Sequence, residues 1–464
     1  MVTRVIVSKK HIHLRPAQQI ALSFIAVILI GTLLLSLPIS QSATSTATLL
    51  DHFFIATSAV RVTGLTPLVT VETYSLFGQT VLIFLMQIGG LGLMTLIAIF
   101  LLAIGGRLAH SDKMVVQEAI NRNTMQDIGK FLKFIIGYTF LFELVGMILL
   151  SFVFIPEFGL GLGLFKSLFI SVSAFCNAGF DVIGSSSLQP YVSNVLVNLV
   201  VSTLIIMGGL GFSVWFDLTK SGNSILHHKS RVKKVISHLQ VHVKLVIWMT
   251  IILLAFGWIY IFVMEFTNVA TLGQLSLFDK LMASFFQSTT LRTAGFATLD
   301  ISAMRPATLV LMMAFMFIGG SPGGTAGGIK TTTFALVILM VITELINRDQ
   351  LVIFKRTIGK DIFRRALAVL VLSFTFVFLG LIALTMVSEA EFLVIAFEAF
   401  SAMGTVGLSM GLTPELTSAG KVVIIILMFV GRIGPIAVAF SLKGNRKRRT
   451  LNEISYPSGN VVVG

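Results

Sequence analysis

Four short segments of this 464-residue chain combine residue types and spacing that suit ion coordination by backbone. They are Val62-Thr63-Gly64-Leu65, Asn177-Ala178-Gly179-Phe180, Thr293-Ala294-Gly295-Phe296 and Thr405-Val406-Gly407-Leu408. Their glycines recur at intervals of 115, 116 and 112 residues. No side chain in them titrates near neutrality, so the chemistry on offer is carbonyl oxygen. A cation crossing a membrane must exchange its water shell for equivalent ligands, and rings of carbonyls supply them without fixed charge. Glycine gives the dihedral freedom that such a turn requires. One tetrapeptide of this kind would say little. Four at one spacing fit one four-fold ring.

Such a ring needs elements that carry irregular backbone to membrane depth, which is tolerated only beside a water-filled path. A short apolar run precedes each turn: Asp51–Val62, Lys166–Cys176, Lys280–Leu291 and Glu391–Met403. These are too short to span a bilayer, which takes about 20 residues, and suit re-entrant half-helices. Each would aim its partial negative C-terminus at the ion. Eight longer runs, near 18–38, 76–104, 131–155, 193–216, 243–264, 307–340, 366–388 and 420–441, are the spanning candidates. A second marker follows each turn. Gly89-Gly90-Leu91-Gly92, Gly208-Gly209-Leu210-Gly211, Gly319-Gly320-Ser321-Pro322 and Gly431-Arg432-Ile433-Gly434 begin 25, 29, 24 and 24 residues after the turn glycine. Two markers in register through four copies indicate an internal repeat.

The expected architecture is therefore an all-α polytopic membrane protein. Four pseudo-repeats of helix, re-entrant pore half-helix and helix surround a central pore. Repeat 1 covers 18–104 with its pore loop at 51–66, and repeat 2 covers 131–216 with its loop at 166–181. Repeat 3 covers 243–346 with its loop at 280–297, and repeat 4 covers 366–441 with its loop at 391–409. A segment at 1–17, loops at 105–130, 217–242 and 347–365, and a tail at 442–464 complete the chain.

Composition agrees. Hydrophobic residues make up 55% and charged residues 12%, with a mean hydropathy of +0.95. A soluble domain usually has about a quarter charged residues. Cys176 is the only cysteine, which excludes a disulfide framework or a zinc cluster and suits a small core side chain. The net charge of +14 is not a nucleic-acid signature. Of the 34 Lys and Arg residues, 26 fall in the five segments 1–15, 105–133, 217–244, 347–365 and 443–449. Those segments should share the cytoplasmic side with both termini, leaving the first helix uncleaved. The opposite side collects Asp51, Glu72, Glu157, Asp181, Glu265, Asp279, Asp300, Glu389, Glu391, Glu398 and Glu415. An acidic mouth there would concentrate cations.

The turns resemble the pore loops of the Trk/Ktr/HKT superfamily of potassium transporters, Cys176-Asn177-Ala178-Gly179-Phe180 and Arg292-Thr293-Ala294-Gly295-Phe296 most closely. Chain length resembles the bacterial Ktr-type membrane subunit. The resemblance implies a K+ uptake subunit of the bacterial plasma membrane with Gly64, Gly179, Gly295 and Gly407 as filter glycines. Val62, Thr63, Asn177, Ala178, Thr293, Ala294, Thr405 and Val406 would supply carbonyls to K+. Glycine at all four positions resembles the potassium-preferring branch. Arg61 departs from the small or apolar residue expected in the first loop, but it matches Arg292 in the third and suggests a supporting role beneath the filter.

The run Gly319-Gly320-Ser321-Pro322-Gly323-Gly324-Thr325-Ala326-Gly327-Gly328-Ile329-Lys330 cannot hold a regular helix. It resembles the family's intramembrane gate loop. It is not a P-loop, because Ile329 separates Gly328 from Lys330 and an apolar helix precedes it. Arg432 lies inside the last span, where an arginine is costly and therefore a functional hypothesis. The resemblance makes it a positive barrier that the loop contacts. It also implies a homodimer, the tail Tyr456–Gly464 docking into the second subunit, and a cytosolic ring of nucleotide-binding regulatory subunits. No resident cofactor is expected; Na+ is a candidate activator.

Alternatives are a less selective Na+/K+ translocator, a secondary carrier with a midplane site, and an intramembrane enzyme. Carriers often carry inverted repeats in two halves, unlike four same-sense units. An enzyme needs a convergent catalytic set. The eight His residues sit almost wholly in the basic segments, and Glu143 is the one acid in mid-span, where a helix-packing contact suits it.

Overall fold

The computed structural model describes residues 16–92, 95, 96, 98, 128–228, 239–348 and 350–434. Expectations for residues 1–15, most of 105–130, 435–441 and the tail lie outside them. The described residues are mostly helical, with almost no sheet. The main helices are α1 (Pro16–Ser36), α2 (Leu49–Arg61), α3 (Leu76–Leu91), α4 (Ile128–Phe158), α5 (Leu160–Cys176), α6 (Val195–Gly209) and α7 (Phe212–His228). They continue with α8 (Val241–Glu265), α9 (Leu277–Thr290), α10 (Pro306–Phe317), α11 (Thr331–Leu345), α12 (Lys360–Thr385), α13 (Phe392–Gly404) and α14 (Ser418–Ile433).

Among the described residues, four helices are long and apolar enough to cross a membrane: α1, α4, α8 and α12. They are the first members of the four predicted units. Their outer faces carry the exposed side chains Leu33, Phe152, Ile259 and Phe378, as lipid-facing helices should.

The second members differ from expectation. The runs 76–104, 193–216 and 420–441 are not continuous helices. Helix α3 stops at Leu91 with Gly92 at φ 81°, and α14 stops at Ile433 with Gly434 at φ 91°. Helix α6 stops at Gly209, and after Gly211 at φ 93° the chain resumes as α7, bent by 96°. The run 307–340 breaks into α10 and α11. Each break falls at the second glycine marker, so the marker ends a helix in every copy. Glycine tolerates the positive φ that the turn demands.

The half-helices are α2, α5, α9 and α13. Helix α2 starts on a capping box in which Thr48 and Asp51 satisfy each other's backbone N–H, and α9 starts on Ser276, which accepts from Asp279 N. Helix α5 begins at Leu160, six residues earlier than the charged Lys166 suggested. The Lys166 ammonium is accommodated 3.6 Å from the Phe158 ring centroid. The core is split among several clusters, and the half-helices contribute Phe54, Phe175, Phe286 and Phe397 to them, all fully buried. Among the described residues one β-hairpin, β1 (Val352–Ile353) with β2 (Arg356–Thr357), lies in the loop at 347–365. Phe354 and Lys355 both take positive φ, as a two-residue hairpin turn requires.

Candidate pore and intramembrane loop

A left-handed residue follows each half-helix, directly after α2, α5 and α13 and three residues past α9, and a left-handed glycine comes two positions later. The pairs are Val62 and Gly64, Asn177 and Gly179, Thr293 and Gly295, Thr405 and Gly407. Three of the four leading residues are β-branched, for which this conformation is strained, and strain of that kind gathers at functional sites.

The turns are anchored from behind by their own half-helices. Thr63 N donates to Ser58 O at 2.8 Å, Ala178 N to Ser173 O at 2.7 Å and Val406 N to Ser401 O at 2.9 Å. The Ser58 and Ser401 hydroxyls also accept from Gly64 N and Gly407 N, each at 3.1 Å. In the third copy Ala294 N donates to Thr290 O, and the Thr290 hydroxyl donates to Phe296 O. Sequence reasoning passed over this support. Its signal was present: a Ser-Ala pair starts six residues before the glycine at Ser58, Ser173 and Ser401, with Thr289 at the same place in the third copy.

The four glycines close on one another. A side chain at Gly64 would lie 2.7 Å from Ala178 O, one at Gly179 2.7 Å from Ala294 O, and one at Gly295 2.5 Å from Val406 O. One at Gly407 would collide with Thr63 O. The order 64, 179, 295, 407 and back to 64 is a closed ring. The structure thus brings all twelve sequence-predicted turn residues together. Among the described residues, no hydrogen bond is donated to the carbonyls of Val62, Thr63, Asn177, Ala178, Thr293, Ala294, Thr405 or Val406. The ring is tied shut between its last and first units by Lys421 on α14, 2.6 Å from Asp51 on α2.

The first glycine of the second marker makes room for this arrangement. A side chain at Gly89, Gly208 or Gly431 would overlap the carbonyl of Val60, Phe175 or Met403, each four residues before a ring glycine. Helices α3, α6 and α14 therefore press their backbones directly on the ends of the half-helices.

One face of the ring opens into a cavity of about 590 Å³, lined by the four glycines and by Glu72, Asp181 and Asp300 among others. The expected acidic mouth is thus smaller than eleven residues. Glu265 is fully buried and accepts from Thr308, Thr271, Asn268 and Arg305 N. Glu398 is fully buried against Thr413 and Ser409, and Asp51 is spent on Lys421. None of these three acids lines the cavity.

The opposite face is covered by the segment 318–330. Gly319 N bonds Ile329 O at 2.8 Å, which closes the segment on itself as a loop. Ser321 N donates to Gly209 O, Thr325 N to Gly208 O, and Phe212 N to Gly323 O. The Thr325 hydroxyl lies 3.0 Å from Asn177 Oδ1, while Asn177 Nδ2 donates to Arg292 O at 3.1 Å. A side chain at Gly327 would overlap the Thr405 hydroxyl. The loop therefore rests on the second and fourth turns. Arg432 donates through Nη1 to Thr325 O and through Nη2 to Gly89 O, and Lys330 Nζ donates to Ala326 O at 2.7 Å. Gly319, Gly320, Ser321, Pro322, Gly323, Gly324, Thr325, Ala326, Gly327, Gly328, Lys330 and Arg432 thus form one assembly. Glu143, the mid-span acid, is buried and accepts from Gln87 Nε2 at 3.3 Å. Among the described residues no cluster of His, Cys, Asp or Glu could hold a metal.

Comparison with known proteins places this architecture. The model of the TrkH cation transport protein family matches residues 9–447. The Ktr system potassium uptake protein B of Bacillus subtilis is 43% identical over 455 residues, 98% of this chain and 98% of its own length. The potassium/sodium uptake protein NtpJ of Enterococcus hirae is 39% identical, over 99% of this chain and 100% of its own length. The crystal structure of the potassium transporter TrkH from Vibrio parahaemolyticus has the same fold at a TM-score of 0.70 and 18% identity, covering 94% of this chain and 86% of that one. Matched by the family model over residues 9–447 and by a relative 43% identical over 98% of its length, this chain belongs to the TrkH family of cation transport proteins.

Proposed function

We propose that the chain is the ion-translocating membrane subunit of a potassium uptake system, and that K+ passes through the ring formed by the four turns. The observation that carries this reading is eight carbonyls without internal hydrogen bonds, held by four mutually touching glycines at the floor of an acidic cavity. A buried carbonyl without a donor is costly unless something replaces water at it, and a partly dehydrated cation is such a partner. The loop 318–330 acts as the gate and Arg432 as its latch, because the arginine is the side chain that ties the loop to α3 across the path.

The relatives support the substrate. The B. subtilis protein is named for potassium uptake and the E. hirae protein for potassium and sodium. The second name favours a specific alternative, a translocator that accepts Na+ as well. A homodimer, a cytosolic nucleotide-binding ring on the basic loops and cytoplasmic termini complete the proposal.

Growth of a transport-deficient bacterium on limiting K+, with the chain supplied alone or with a cytosolic partner, tests it. Rescue by K+ is expected. Failure of rescue alongside intact membrane insertion contradicts it, and rescue that Na+ abolishes supports the alternative.

A further inference from the structure

Two arginines share one register, three residues before a ring glycine: Arg61 before Gly64 and Arg292 before Gly295. The same register holds Cys176 and Gly404 in the other two copies. Because the ring runs 64, 179, 295, 407, the two arginines stand on opposite sides of it. Both are buried, Arg61 at 0% and Arg292 at 5% exposure. All three nitrogens of the Arg61 guanidinium, and Nε and Nη2 of Arg292, lack a hydrogen-bond partner among the described residues. No carboxylate there pairs with either one. The Arg61 guanidinium lies instead between two rings, 4.4 Å from the Phe24 centroid and 3.9 Å from that of Phe429.

Their position along the path follows from their neighbours. Arg61 ends α2 and Arg292 lies two residues past the end of α9, both on the side away from the acidic cavity. Phe429, which covers Arg61, is three residues from Arg432 on α14 and so on nearly the same face. Arg292 offers its carbonyl to Asn177, the residue that also meets the loop at Thr325. The loop side of the ring therefore carries Arg61, Arg292, Lys330 and Arg432 against one buried acid, Glu143, whose carboxyl lies 3.9 Å from Cys176 Sγ, and the cavity side carries Glu72, Asp181 and Asp300. Guanidinium does not give up its proton in proteins, so the charge is fixed. Burying a charge without a carboxylate partner in a membrane bundle is expensive; the two rings and the C-terminus of α2 offset part of that cost for Arg61, whereas an apolar side chain would fill the space without it.

We propose that Arg61 and Arg292 are fixed positive charges that make cation passage directional: at equal and opposite driving force, flow from the cavity side to the loop side exceeds the reverse. The proposal rests on the ring being the ion path. The mechanism is one of loading. Positive potential lowers the probability that a cation waits at the loop-side mouth, so reverse flow is limited by arrival. Glu72, Asp181 and Asp300 raise that probability at the other mouth. Buried charges are little screened by salt, so the asymmetry persists at high ionic strength. The arginines act through the field and need not touch the ion.

The test is current against voltage in patches excised from spheroplasts producing the full chain, in symmetric KCl. Wild-type current should be larger toward the loop side. Arg61→Gln and Arg292→Gln should each cut the ratio of the two directions by about threefold, and the double variant further. Arg61→Lys and Arg292→Lys should keep the ratio. Should Arg61→Gln fail to assemble, Arg292→Gln decides alone. A ratio unchanged in the Gln variants overturns the proposal. So do Lys variants that lose it as fully as Gln, which would mean packing, and a wild-type asymmetry that vanishes in high salt. Failure of the ring as the ion path would look different: a wild-type current with no preference among cations.

Discussion

The ring of four turns and the loop 318–330 are both irregular backbone inside a helix bundle, and they are held in opposite ways. Each turn hangs from its own half-helix by bonds within six residues, such as Thr63 N to Ser58 O and Val406 N to Ser401 O. The loop hangs from other units: from Gly208 and Gly209 on α6, and from Arg432 on α14. A turn can move only if its half-helix moves. The loop can leave once a few bonds to its neighbours break. The same departure from regular structure therefore yields one rigid feature and one releasable feature, and the difference lies in where the hydrogen-bond partners sit along the chain.

Removing the releasable element should have the largest effect. Each loop anchor contributes about 1 kcal/mol net, so the bonds at Ser321, Thr325 and Gly323 together bias the closed position by about a hundredfold. Deletion of 320–328 should raise basal K+ flux into proteoliposomes toward that factor. Flux equal to wild type would remove the distinction between a fixed ring and a movable loop.

Damage to the ring should appear in selectivity instead. Gly64→Ser or Gly295→Ser puts a side chain at positive φ, at about 1–2 kcal/mol, and into a neighbouring backbone carbonyl. The preference for K+ over Na+ should fall by about tenfold, read from competitive ion uptake. An unaltered preference would show that the ring tolerates motion as the loop does.

Arg432→Gln should resemble a mild loop deletion. It removes a charge-assisted bond to Thr325 O, about 1.5–3 kcal/mol, so basal flux should rise by about tenfold while the K+ preference stays. A change in preference without a change in basal flux would assign Arg432 to the ring.

The smallest effect should come from the support beneath the turns. Ser58→Ala with Ser401→Ala withdraws the acceptors of Gly64 N and Gly407 N, at about 1 kcal/mol each, and should loosen ion preference several-fold without opening the loop. Raised basal flux in this double variant would show that the two regions are one mechanical unit.

Symmetry decided what could be seen in the sequence. The four turns were legible because the same local chemistry recurs near every 115 residues, and local chemistry is what sequence displays. The second glycine marker was legible as a pattern but not as a structure. That Gly89, Gly208 and Gly431 press on carbonyls 29, 33 and 28 residues earlier, and that Gly92, Gly211 and Gly434 end helices, needed tertiary contact. Apolar runs made the second spans look continuous, because hydropathy does not register a glycine break. The loop was legible from six glycines and a proline between Gly319 and Lys330, yet its partners on α6 and α14 lie about 110 residues away on either side. The outer acids misled by number: charge alone cannot distinguish Asp181 in the cavity from Glu265, which fastens a helix end.

Anomalous scattering from Tl+ or Rb+ introduced into crystals of the full chain tests the central claim most directly. A peak is expected on the axis enclosed by Thr63, Ala178, Ala294 and Val406, weakened in Gly64→Ser crystals. A well-ordered ring without a peak, with the ions lodged between helices elsewhere in the bundle, would contradict it.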